Sequence, residues 1–118
     1  MKTIGVVNFL ETPCLLAPEK GTLLADEIKR LIKSARNVSV DFTDYEFLSS
    51  AFLNHAFGQL CIDLDWDAAT FNKKINVVAL DEDDVDELTL AIDNAQTRRS
   101  LMKRGIKPED YYSARIPA

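Results

Sequence analysis

The feature that most constrains this chain is the alternation of short β-branched runs with segments of helical spacing. Residues 38–42 (Val-Ser-Val-Asp-Phe) and 75–80 (Ile-Asn-Val-Val-Ala-Leu) read as strands, and the second is nearly continuous in its apolar character, as a buried central strand is. Residues 2–9, with Ile4, Val6, Val7 and Phe9, predict a first strand. Between the strands lie three helical patterns. Thr22 is expected to cap a helix with Leu24, Ile28, Leu31, Ile32 and Ala35 on one face. A second helix over 49–64 aligns Leu53, Ala56, Phe57, Leu60 and Leu64, and a third aligns Val85, Leu88, Ile92 and Ala95. Strands alternating with helices pair in parallel, so the expected fold is α/β: one domain with a mostly parallel or mixed sheet of about four strands and helices packed on it.

Punctuation sets the boundaries. Pro13, Pro18 and Gly21 predict a loop or irregular hairpin over 11–21, with Cys14-Leu15-Leu16-Ala17 as a short edge strand. Asp84 and Glu87 have the spacing of a helix-capping pair. Gly105 stops the last helix and Pro108 follows it, which places the domain at 1–105. Residues 106–118 have no periodicity and are expected to form a mobile or partner-docked tail.

Composition narrows the function. In 118 residues, 47% of them apolar, there is enough material for one core. Acidic side chains number 19 against 14 basic, a net charge of −5. The imbalance is uneven: residues 1–97 carry 17 acidic and 8 basic groups, and 98–118 carry 2 and 6. An acidic body repels phosphate backbones, so nucleic acid is not an expected partner. No apolar run reaches the ~20 residues of a membrane span, and the interrupted N-terminus does not read as a secretory signal. A cytoplasmic protein is expected, with Cys14 and Cys61 reduced.

Catalytic patterns fare poorly. Asp63-x-Asp65-x-Asp67 imitates the start of a calcium loop, but Ala68 stands where glycine is needed and Lys74 where glutamate is needed. His55 is the sole histidine, offset from the nearby serines on its helix, and no glycine-rich phosphate loop is present. Neither an enzyme, a cofactor nor a metal is expected.

The informative stretch is 38–52, where Ser49 and Ser50 stand at a strand-to-helix junction. One serine there is explained as an N-cap, accepting from an unpaired backbone N–H. The pair admits more, because a helix N-terminus also favours a phosphate. This strand, turn and Ser-Ser helix start resembles the STAS family, in particular its short prokaryotic STAS-like members. Ala51 to Leu60, with Phe57-Gly58-Gln59-Leu60, and then Phe71-Asn72-Lys73-Lys74-Ile75, follow the order and spacing of that subgroup. The likeness is best over 38–95. STAS domains are similar to bacterial anti-sigma-factor antagonists, in which Ser49 corresponds to a phosphorylated serine. Leu48 replaces their Asp, and Ala51 their Gly.

What the resemblance implies is a non-catalytic protein-binding switch or adaptor. Its partner would be a protein, typically a histidine-kinase-like ATPase, and Ser49 or Ser50 would be the phosphorylation candidate. Docking is expected over Asp44, Tyr45, Glu46 and Phe47, with the aromatics as anchors. A second expectation is a constitutive structural subunit in which Tyr111, Tyr112 and Arg115 of the tail clasp a partner or a second copy in a homodimer. A third is a regulator that binds a nucleotide or another small molecule at the Ser49-Ser50 helix start.

Overall fold

The computed structural model describes residues 2–107. Five strands and five helices follow one another along them, in alternation except that two strands adjoin before the third helix and two helices before the last strand. β1 (Lys2–Gly5), β3 (Val38–Asp41) and β5 (Ile75–Val78) form a fully parallel sheet in the order β1-β3-β5, with Ile4 beside Val40 and Val40 beside Val77. β2 (Cys14–Leu15) and β4 (Phe47–Leu48) make a separate two-stranded parallel ladder. The α/β class and the parallel pairing agree with the sequence. The 75–78 strand, however, is an edge strand, and 38–41 holds the centre with Val38, Ser39 and Val40 buried. The continuous apolar run marked burial, which the helices also supply, and not a place in the strand order.

The first strand is also shorter than expected. It ends at Gly5, and Val6–Leu10 form helix α1, which buries Val6 and Leu10 four residues apart. In so short an apolar run, alternation and helical spacing cannot be told apart, and here tertiary burial decided. Helix α2 (Pro18–Ile32) starts before Thr22, because Pro18 occupies the first helical position, where its missing N–H costs nothing. A helix absent from the sequence reading, α4 (Ala68–Lys74), is capped by Asp67, whose side chain accepts from the Thr70 N–H at 2.7 Å. Its apolar stripe is too thin to be visible, since Phe71 is its one buried residue.

Helix α3 covers 50–64, as expected from 49 on, and takes a wider π-type turn over Asn54–Gly58. Ala56, Phe57 and Gly58 are buried in succession. A single regular face cannot hold three consecutive residues, so α3 is buried on two sides, against α2 and against α5 (Glu82–Lys103). The contact with α2 is the closer of the two, for an identifiable reason. A methyl group on Gly21 of α2 would lie 2.5 Å from the Phe52 carbonyl oxygen and 3.1 Å from the Ala56 nitrogen. On the other flank, one on Gly58 would lie 3.5 Å from the Ala91 carbonyl oxygen of α5. Phe57 extends the core inward, edge-on to Phe71 and tilted on Phe42.

Two expectations about α5 need correction. Its first residue is Glu82, and the preceding Asp81 makes no side-chain cap; Asp84 and Glu87 do not cap the helix, because their carboxylates are taken by other segments. Val85 is 43% exposed, and Ala91 takes its expected place in the buried stripe. The stop at Gly105 holds: its φ of 75° suits glycine, and the Ile106 N–H donates back to the Leu101 carbonyl. Among the described residues no helix is long and apolar enough to cross a membrane.

Gly21→Ala should therefore lower stability by about 1–3 kcal/mol, the usual cost of overpacking. Chemical denaturation is the measurement. An unchanged midpoint would mean that α2 and α3 do not approach as closely as described.

Candidate functional site

The Ser49-Ser50 junction is built from four segments. After β3 the chain turns through Asp44, whose φ of 70° is left-handed. It then enters β4, held to the preceding loop by Glu46 and Phe47 N–H groups donating to the Pro13 carbonyl. The Ser49 N–H donates to the Leu15 carbonyl at 3.0 Å, which fixes the register at which β4 passes into α3.

The two serines then part. Ser49 is half-buried and fully engaged: its Oγ accepts from the Phe52 N–H at 3.0 Å and donates to the Leu16 carbonyl at 2.8 Å. It is the helix N-cap. Ser50 is exposed, and its hydroxyl donates to the Glu87 carboxylate of α5 at 2.7 Å. Both hydroxyls thus lie at the surface end of α3 and outside the core, as expected, but they do different work. The Phe52 N–H that a bound phosphate would need is already satisfied by Ser49.

The expected docking residues are dispersed. Phe47 is 58% exposed beside the junction, and Glu46 is exposed. Asp44 instead lines a hollow with Gly5, Asn8 and Asp41 at the C-terminal ends of β1 and β3. Within it the Asp41 carboxyl lies below the usual range because Thr43 donates to it through both hydroxyl and N–H. Tyr45 is half-buried, edge-on to Phe42, and its hydroxyl is bound twice. It donates to the Asp84 carboxylate at 2.6 Å and accepts from the Asp81 N–H at 2.9 Å. Burial, and then that donation to Asp84, push its pKa up to about 12. Tyr45 and Ser50 therefore clasp the first turns of α5 through Asp84 and Glu87, one helical turn apart. Sequence reasoning missed these two carboxylates as site residues. They lie 39 and 37 positions from their partners, and nothing local marks the pairing. Tyr111, Tyr112 and Arg115 lie outside the described residues.

The remaining candidates have structural employment. Asp63 receives Lys29 and Gln59, Asp65 receives Arg99 and Lys103, and Asp67 caps α4, so the three aspartates diverge. Among the described residues no group of three or more His, Cys, Asp or Glu side chains is placed to hold a metal ion. His55 is exposed. Cys61 is buried, which pushes its thiol up to about 11, and Cys14 is exposed.

The clasp is open to titration. Unfolded tyrosine ionises near 10 and the folded Tyr45 near 12. The folded chain thus retains the proton longer, and the stability this provides is complete below pH 10 and is lost between about pH 10 and 12. Absorbance of tyrosinate should show one late-ionising tyrosine, and Tyr45→Phe should abolish it while costing about 1–3 kcal/mol, since Asp84 and the Asp81 N–H lose a partner. If all three tyrosines ionise near 10 in the folded chain, the clasp is contradicted.

Comparison with known proteins adds one finding to this geometry. Searches of the curated proteins and of the solved structures each return no match. Residues 20–85, from α2 through β5 and into the first turn of α5, match the family model described as STAS-like domain of unknown function (DUF4325). The match spans more than half of the chain and includes the Ser49-Ser50 junction with both its flanking elements, and the chain belongs to that family.

Proposed function

We propose that this chain is a non-catalytic protein-binding module whose docking surface is the open end of α3, and that serine modification there switches docking off. The observation that carries the reading is the pairing of an exposed aromatic, Phe47, with an exposed hydroxyl, Ser50, on a rigid junction. An aromatic ring left 58% exposed on an ordered strand is the kind of anchor that interfaces use. The β2–β4 ladder and the Ser49 cap hold it in place, so little ordering entropy is lost on docking.

Ser50 is the hydroxyl a kinase reaches without unfolding the helix start, whereas modifying Ser49 requires it to leave the Leu16 carbonyl. A phosphate on either adds about −1.5 to −2 charges. On Ser50 that charge faces Glu87, with Asp84 one turn away on α5. It removes the hydroxyl proton that Glu87 accepts and makes the docking surface strongly anionic. The likeness to anti-sigma-factor antagonists supports a protein partner of the histidine-kinase-like ATPase type.

The test is affinity capture from the native cell with the wild type, Ser50→Asp and Phe47→Ser, with intact-mass measurement of each bait. The wild type should retain a defined protein and should be found partly phosphorylated. Ser50→Asp and Phe47→Ser should each weaken that complex about a hundredfold, equivalent to about 2.8 kcal/mol, with unchanged circular dichroism. Equal retention by all three baits would sink the proposal.

A further inference from the structure

The face of α5 that points away from the core carries a pattern the docking reading does not use. Asp86, Leu90, Asp93, Thr97, Ser100 and Arg104 follow one another at steps of four and three, the spacing of a stripe along one side of a helix. All are exposed except Thr97, which is half-buried. Leu90 is 53% exposed and stands alone among charged and polar neighbours. Ten residues on, Thr97, Ser100, Leu101 and Arg104 line an open hollow of about 340 Å³ with Gln96.

Charge is segregated along the same helix. Its first half presents Glu82, Asp83 and Asp86 with no basic residue, Asp93 stands at its middle, and its C-terminal end presents Arg98 and the cap residue Arg104. Each sign suits its own end of the helix dipole. That accounts for the first and last turns, but not for Asp93 in the middle or for Leu90. Asp86 and Arg104 are about 27 Å apart along the axis, so one chain cannot pair them. Arg99 and Lys103 are already taken by Asp65, which leaves Arg104 directed outward without an ion-pair partner among the described residues.

Reversing the stripe end for end about the level of Ala95 returns the same stripe. Asp86 then faces Arg104, Leu90 faces Ser100, and Asp93 faces Thr97. We infer that this face of α5 binds a second copy of the chain, antiparallel across a two-fold axis at the level of Ala95 along the helix. In that register each Leu90 enters the hollow between the other copy's Thr97 and Ser100, and each Asp86 reaches the other copy's Arg104. Such a contact is isologous and closes on itself as a dimer. Its seam is mostly polar, so the dimer is weak and held by charge, and it dissociates in salt.

Sedimentation equilibrium on the full chain tests this. At about 0.01 M salt, where screening extends to about 30 Å, the chain should associate as a dimer; at about 1 M, where it falls to about 3 Å, it should be monomeric. Asp86→Arg alone places arginine against Arg104 twice, and Arg104→Asp alone places aspartate against Asp86 twice. Each should self-associate at least about tenfold more weakly than the wild type. Mixed in equal amounts, the two variants pair arginine with aspartate at both ends, and the dimer should return. A wild type that stays monomeric at about 1 mM in low salt overturns the inference. So does a mixture that remains monomeric while both variants keep wild-type circular dichroism. Truncation after Lys107 should leave the dimer intact; loss of the dimer there would assign it to the tail in place of this face.

Discussion

The structure depends on burying α3 from two sides at once. Helices pack at 8–10 Å only where side chains at the crossing permit it, and the Gly21 contact with the Phe52 carbonyl leaves no room for even a methyl group. Gly58 faces Ala91 of α5 on the other flank at ordinary contact distance. The π-type turn between them lets consecutive residues serve different neighbours, with Ala56 beside α2 and Gly58 beside α5. With its flanks gripped in this way, α3 holds its N-terminus at a fixed point on the surface. The serine pair inherits that position.

The polar chemistry around that point is spent on tying segments together. Ser49 joins α3 to the end of β2, Tyr45 joins the β3–β4 turn to α5, and Ser50 joins α3 to α5. Three hydroxyls thereby connect four elements at this end of the molecule. The same economy governs the acidic residues elsewhere. Asp63, Asp65 and Asp67 resemble a ligand set in sequence, yet each serves a different helix. What is left uncommitted stands out against this background: Phe47 at one end of the fold, and the reversible stripe on the outer side of α5.

Much of the fold was legible. β-branched runs and helix-spaced stripes identified β3, β5, α2, α3 and α5, and the Gly105 stop was correct to the residue, because each depends on local backbone preference and on a periodic apolar face. α4 and β4 were not legible. One is capped by a single aspartate over one buried phenylalanine, and the other exists only because β2 lies beside it. The resemblance to the STAS family rested on the order of motifs over 38–95, and the family match covers that region as far as residue 85.

For the candidate site, the sequence alone determined that a serine pair opens a helix after a strand, since N-cap preference and strand patterning are short-range. It also determined that one of the two would cap. Tertiary structure alone decided which serine caps and which is exposed. It alone turned Tyr45 inward and sent Asp84 and Glu87 to hydroxyls almost forty residues distant. A carboxylate three positions from another looks like a capping pair in one dimension. It becomes a clasp only when a second segment brings donors within hydrogen-bond reach, and packing sets that distance where chain spacing does not.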